Sequence, residues 1–167
     1  MRFIKLGLIS IVLFFLLLTA FSFLLPSQIN ISKAIDINAP ADSVYAYVNN
    51  FGKWKCWYAD YDSSTSFIST STAGKAMLTI NKTTVTINET LPGKIKAIWQ
   101  TGKNNPLPGE FNFIAKDSGA SMTLQWNFIQ NVKWYPWQKF ASIMSGKIIG
   151  PFMEKSLENL KREAEKR

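Results

Sequence analysis

From Leu6 to Leu25 the chain carries no charged residue, and Leu, Ile, Val and Phe dominate these 20 positions. An α-helix rises about 1.5 Å per residue, so a run of this length reaches across the ~30 Å hydrocarbon core of a bilayer. A cleavable signal peptide has a shorter apolar stretch, about 7–15 residues, closed by small residues at the cleavage site. Here Ala20-Phe21-Ser22 is followed by Phe23, Leu24 and Leu25, which carry the run past any such site. The segment therefore reads as an uncleaved anchor. Arg2, Lys5 and the α-amino group precede it and only Lys33 follows closely. The excess of positive charge on cytoplasmic flanks then places the body on the extracytoplasmic side. Pro26-Ser27-Gln28 breaks the helix and leaves almost no linker, which keeps the body near the bilayer surface. The expected organisation is an anchor with its linker over 1–28 and one folded domain over 29–167.

That body, roughly 140 residues, has the size of one domain and can bury a core without staples. Hydrophobic residues make up 47% of the chain and aromatics 14%, which excludes a disordered polymer. Histidine is absent, which removes the commonest general base, the commonest metal ligand and every Ser-His or Cys-His nucleophile. Cys56 is the single cysteine, so no intramolecular disulfide forms; it reads as a small, half-buried residue. No cofactor and no metal are expected. Without Arg2 and Lys5 the body holds 17 basic against 11 acidic residues, and its lysines are scattered rather than clustered. They read as a solvated surface leaning toward an anionic membrane face. Basic and aromatic residues interleave at Lys53-Trp54-Lys55 and from Lys133 to Lys139. For an exported body these suit lipid headgroups better than nucleic acid, which is not an expected partner.

Hydrophobic periodicity orders the body. Ile29, Ile31, Ile35 and Ile37 share a strand face, and Ala39-Pro40-Ala41-Asp42 opens a helix with Val44, Tyr47, Val48 and Phe51 on one side. A second short helix or turn over Asn50–Tyr58 carries Trp54 and Trp57. Strands follow at Ser66–Thr70, Lys75–Ile80, Thr83–Leu91, Lys94–Thr101, Glu110–Lys116 and Ala120–Gln130. Ala73-Gly74, Asn81-Lys82, Pro92-Gly93, a Gly102–Gly109 loop and Asp117-Ser118-Gly119 separate them. Short connections make antiparallel neighbours. Alternation puts Val85 and Ile87, then Ile95, Ala97 and Trp99, then Phe111, Phe113 and Ala115, then Met122, Leu124, Trp126 and Phe128 on one apolar side. The chain closes in helix: Phe140, Ile143 and Met144 share a side, Gly150-Pro151 interrupts, and Met153, Leu157, Leu160 and Ala164 continue the stripe. This is an α+β order.

The text resembles the START-related helix-grip (SRPBCC) superfamily, in particular its polyketide cyclase/dehydrase and lipid-transport-like proteins. Ile35-Asp36-Ile37-Asn38-Ala39-Pro40 with Val44-Tyr45 is similar to the family's opening strand, Ala-Pro turn and helix. Trp54-Lys55-Cys56-Trp57 resembles its paired tryptophans, Ile87-Asn88-Glu89 with Leu91-Pro92 a strand entering a Pro turn, and Gly119–Trp126 a strand entering a Trp. Gly150–Lys161 is similar to its closing helix. The resemblance covers roughly residues 30–166. It implies a helix-grip fold: a curved antiparallel sheet of about six or seven strands around a long C-terminal helix, here preceded by one transmembrane helix. It also implies a cavity between sheet and helix for a lipid, polyketide or similar small hydrophobic ligand.

On that basis the expected ligand contacts are Trp57, Trp99, Phe111, Phe113, Trp126 and Phe128, with Phe140 and Met144 from the covering helix. Glu89 joins them because its parity matches Val85, Ile87 and Leu91, where a carboxyl group would be buried and its pKa raised; a strand that twists or bulges before the Pro turn would instead bring Glu89 to water. The expected function is a membrane-tethered binding module. An enzyme of cyclase/dehydrase type and a ligand-free interaction module are the open alternatives. No catalytic residue is assigned, since no acid–base pair is evident. The expected partners are the ligand and, through residues 6–25, the membrane; a protein partner is not specified.

Overall fold

The computed structural model describes residues 2–70, 75–116 and 119–166. The expected turns at Ala73-Gly74 and Asp117-Ser118 lie outside the described residues, as does the side chain of Ile143. Helix α1 (Arg2–Leu24) is the apolar N-terminal run, and Phe3–Leu24 is long and apolar enough to cross a membrane. Strand β1 (Gln28–Ile37) follows, then α2 (Ala41–Val48) and a 3-10 helix (Phe51–Cys56). Strands β2 (Ser66–Thr70), β3 (Ala76–Ile80), β4 (Thr83–Leu91), β5 (Lys94–Thr101), β6 (Leu107–Ala115) and β7 (Met122–Asn131) lead into α3 (Pro136–Ala164).

The strands form one antiparallel sheet of seven, in the order β1-β7-β6-β5-β4-β3-β2. Each hairpin pairs sequence neighbours, and β1 closes the order by pairing with β7 from Gln28↔Asn131 to Ile37↔Met122. Alternation along β7 buries Met122, Leu124, Trp126 and Phe128 on one face, and Ile95, Ala97 and Trp99 of β5 do the same. The opposite face is wet, with cross-strand ion pairs Lys94–Glu110 and Lys96–Glu89. The turns carry residues that tolerate left-handed backbone: Asn81 at φ 53° and Gly93 at φ 73°.

Rings fill the space over the apolar face. Trp54, Trp57, Tyr58, Trp99, Phe111, Trp126 and Phe128 are all buried. They meet edge-on or tilted, as in Trp57–Trp126 at 6.2 Å, Phe111–Trp126 at 4.9 Å and Trp99–Phe128 at 4.7 Å. The Trp54 indole donates to Val48 O at 2.9 Å, which ties the aromatic turn to the end of α2. This sets Trp54 within the core and leaves only Lys53 and Lys55 of that motif at the surface. Cys56, expected to be half-buried, is exposed, because the turn directs Trp54 and Trp57 inward on either side of it.

Helix α3 runs unbroken for 29 residues with Pro151 inside it. The expected interruption at Gly150-Pro151 is thus absent as a break. Proline costs one helical hydrogen bond and a ring clash, and burial of Met153, Leu157 and Leu160 on the sheet outweighs that cost. Ion pairing of Lys33 with Glu154 at 2.5 Å and donation by Asn38 N to Glu165 Oε1 at 2.7 Å hold α3 along β1. Ser156 Oγ accepts from Ala59 N at 3.1 Å, and Asn159 Nδ2 donates to Trp57 O at 3.3 Å, so the helix also grips the aromatic turn.

Candidate functional site: a pocket beside helix α1

A pocket of about 580 Å³ opens between the first half of α3 and one end of the sheet. Trp99 and Thr101 from the end of β5 form one wall, with Asn104, Asn105, Pro106 and Leu107 from the loop into β6. Gln130 and Asn131 from the end of β7, with Val132 beyond it, form the second. Helix α3 supplies the third through Gln138, Ala141, Ser142, Ser145 and Ile149. This end of the sheet is the one next to the end of α1. Gln28, the first residue of β1, pairs with Asn131, and Val132 N donates to Ser27 O at 2.8 Å.

Trp99 is the floor. Its indole N–H donates to the Tyr58 hydroxyl at 3.0 Å, and its ring packs edge-on to Phe128. Gly109 makes that packing possible. It faces Trp99 and Phe128 across β6, and a Cβ there would fall 2.6 Å from Trp99 Cζ3 and 2.9 Å from two carbons of Phe128. Burial pushes the Tyr58 phenol well above its ordinary range, with the bond from Trp99 opposing. Tyr58 is therefore a neutral prop rather than a proton carrier.

The pocket lining contains no ionisable side chain. Its five side-chain amides, of Asn104, Asn105, Gln130, Asn131 and Gln138, can each donate or accept, and the two serines of α3 add acceptors. Ser142 Oγ donates to Lys139 O at 2.7 Å and Ser145 Oγ to Ala141 O at 3.4 Å, so both hydroxyls spend their protons on their own helix. Their lone pairs remain. Gln130 Oε1 is shielded from solvent and takes no hydrogen bond from the described residues. A shielded amide oxygen of this kind gains when a bound molecule supplies a donor.

Among the expected contacts, Trp99 borders this pocket; the others are placed elsewhere. Trp57, Phe111, Trp126 and Phe128 are inside the ring cluster, packed on one another rather than around a space. Phe113 is half-buried against Tyr45, with ring centroids 5.4 Å apart, near the opposite end of the sheet. Glu89 does not share the apolar face. A register shift between Ile87 and Glu89 reverses the parity, and Glu89 reaches water to pair with Lys96 at 2.8 Å. Phe140 and Met144 share a side of α3 as expected, but that side points away from the sheet. The residues missed by sequence reasoning are polar ones at strand ends and on the inner face of α3. One signal was present: Gln130 continues the inward parity of Met122, Leu124, Trp126 and Phe128.

Shifted titrations lie outside the pocket. Hydrogen bonds from Thr123 and Lys116 hold the Asp36 carboxyl below its usual range, and the bond with Glu89 raises Lys96. Among the described residues no group of three or more His, Cys, Asp or Glu is placed to hold a metal ion.

A seven-stranded antiparallel sheet gripping a long C-terminal helix, with a pocket between the two, defines a START-like helix-grip protein. The chain belongs to the polyketide cyclase / dehydrase and lipid transport family, whose sequence pattern matches residues 28–165. Solved structures agree on the fold. A START superfamily protein from Mycobacterium smegmatis superposes with a TM-score of 0.62 at 16% identity, covering 81% of this chain and 97% of that one. The Zhui aromatase/cyclase from Streptomyces sp. R1128 gives a TM-score of 0.63 at 12% identity, covering 83% and 94%. A protein from Thermus thermophilus gives 0.57 at 11%, covering 81% and 97%. No curated protein matches the chain in sequence. The family itself, by its description, joins polyketide cyclases and dehydrases with lipid-transport proteins.

Proposed function

We propose that this chain is a membrane-tethered binding module for an uncharged amphiphile, an apolar molecule that carries hydroxyl or amide groups. Its site is the pocket between the first half of α3 and the ends of β5, β6 and β7. The observation that carries this reading is a pocket of about 580 Å³ beside the anchor whose lining has no ionisable side chain. The volume falls inside the range of about 300–1,000 Å³ used by small-molecule sites. Trp99, Leu107, Val132 and Ile149 give the ligand apolar contact, while Ser142, Ser145 and Gln130 accept from its polar groups. A charged headgroup would have no counter-charge there, and burying it unpaired is costly. Cyclase chemistry draws on positioned acids and bases, and no lining residue supplies one. The body sits on the extracytoplasmic side, following Arg2 and Lys5 before the span.

The test is mass spectrometry of small molecules that accompany the full-length chain through purification in mild detergent. The expected result is a neutral amphiphile bound to the parent chain and lost from Ser145→Phe, which fills the pocket from α3. A parent chain that emerges empty, and that shows no mass shift with added lipid extract, refutes the proposal. Retention unchanged by Ser145→Phe would move the site elsewhere.

A further inference from the structure

Helix α3 turns inside out at Pro151. Beyond it, Met153, Ser156, Leu157 and Leu160 are buried and the charged residues face water, as in an ordinary surface helix. Before it the order is reversed. Lys139 and Ser142 are buried, whereas Trp137 is 59% exposed, Phe140 46%, Met144 53% and Ile148 73%. Positions 137, 140, 144 and 148 repeat at helical spacing, so these side chains form one continuous apolar stripe on the outside. Trp134, in the turn just before the helix, is 57% exposed and extends it. Monomeric soluble domains seldom present such a stripe without something to cover it.

We propose that this half of α3 lies in the headgroup layer of the membrane that holds α1, with its apolar stripe turned toward the acyl chains. The proposal rests on the tether reading. Three observations name a bilayer as the covering surface.

First, the stripe is continuous with the anchor. Ser22, buried near the end of α1, donates from Oγ to Trp134 O at 2.9 Å. Lys139 Nζ donates to Leu25 O at 2.5 Å and to Ser27 Oγ at 3.3 Å. The ammonium thus caps the carbonyl end of the spanning helix, where a cation is favoured. The start of α3 is fixed at the level where the span leaves the hydrocarbon. Second, the residues are of the interfacial type: Trp134, Tyr135 and Trp137 crowd one short turn, with Tyr135 and Trp137 stacked at 5.1 Å. Trp and Tyr concentrate at membrane–water interfaces because their rings are apolar and their tips polar. Third, residues 133–150 contain Lys133, Lys139 and Lys147 and no Asp or Glu. Such a segment is attracted to an anionic leaflet and meets no repulsion from its own side chains. The inner face of the same half-helix is a wall of the pocket, so the pocket lies directly behind the membrane surface.

The experiment uses the full-length chain with Cys56→Ser, reconstituted in vesicles of mixed zwitterionic and anionic phospholipid. Single cysteines replace Met144, Ile148 and, as a control, Ile114, which is exposed at the far end of β6. Each is labelled with an environment-sensitive fluorophore. Probes at 144 and 148 are expected to emit blue-shifted from the probe at 114 and to be quenched by lipids labelled near the headgroup. Water-like emission at 144 and 148, from a chain that stays in the vesicles through an alkaline wash, overturns the inference and leaves the tether intact. A blue shift that grows with the protein-to-lipid ratio also overturns it, assigning the stripe to a second copy. Loss of the chain in the wash removes the tether, and the inference with it.

Discussion

Substituting Gly109 by alanine tests how the pocket floor is built. The added methyl would lie 2.6 Å from Trp99 Cζ3 and 2.9 Å from Cδ1 and Cε1 of Phe128. Carbon atoms rest at about 3.5–4.0 Å, so one ring must move by roughly an ångström. Phe128 is packed against Trp126 at 5.2 Å and has no room behind it. Trp99 has the pocket beside it, and its exit breaks the bond to Tyr58. Overpacking of this kind costs about 1–3 kcal/mol, and the lost hydrogen bond adds about 1 kcal/mol. Alanine's lower backbone entropy in a strand returns about 0.5–1 kcal/mol. The expected net loss is about 1–3 kcal/mol, or roughly 2–4 °C of melting temperature for each kcal/mol in a chain this long. Chemical denaturation of the full-length chain in detergent, followed by tryptophan emission, measures it. A second reading comes from Trp99→Phe, whose smaller ring should relieve the clash, so that Gly109→Ala costs less in that background. Unchanged stability in the parent background, or an equal loss in both, refutes the argument that Gly109 exists to admit Trp99. Ligand retention should fall with Gly109→Ala, because the displaced indole enters the pocket.

Four further outcomes are expected. Tyr58→Phe leaves the buried Trp99 indole without its acceptor and should lose about 1–3 kcal/mol in the same denaturation assay. Because burial raises the Tyr58 phenol, the folded state keeps its proton where the unfolded chain would ionise. That contribution is complete below the unfolded phenol's pKa of about 10 and is lost as pH rises beyond it, so ultraviolet titration should show one phenol that ionises only on unfolding. Lys139→Met removes the cap on Leu25 and Ser27, and limited proteolysis should cut the 25–28 segment several-fold faster than in the parent. Glu89→Gln breaks an exposed pair with Lys96, so stability should change by less than about 1 kcal/mol and ligand retention should not change; a clear loss of retention would return Glu89 to the site.

Strand order, the apolar face and the closing helix were legible because each depends on a period that survives averaging over neighbours. Met122, Leu124, Trp126 and Phe128 alternate, and their burial follows. Parity alone places Glu89 inside, but a bulge before the Pro turn was the open alternative, and one irregularity in the register after Ile87 inverts the parity. Phe140 and Met144 illustrate a different limit. Helical spacing shows that two side chains share a face but not whether that face meets protein or its surroundings, and here it turns outward. The rings were legible as a group, but a cluster that fills a space and a cluster that lines one have the same composition. Gly109 decides between them locally, since its missing side chain is what lets Trp99 and Phe128 close the interior. It read as the end of a loop because Pro108-Gly109 is a turn signal by composition, whereas both residues lie within β6.

Three residues, Leu25, Pro26 and Ser27, separate the end of α1 from the start of β1. Fully extended they reach only about 10 Å. With the anchor in a bilayer, the body has no radius in which to travel. A carrier that ferries cargo between two membranes needs either free diffusion or a long tether, and a chain held in the bilayer by α1 would have neither. On the proposed reading, any molecule in its pocket would exchange with the leaflet beneath it or with a mobile acceptor that comes to it. The rate of such exchange would then be set by lateral encounter in the plane of the membrane, and would depend on the surface density of the chain rather than on its concentration in solution.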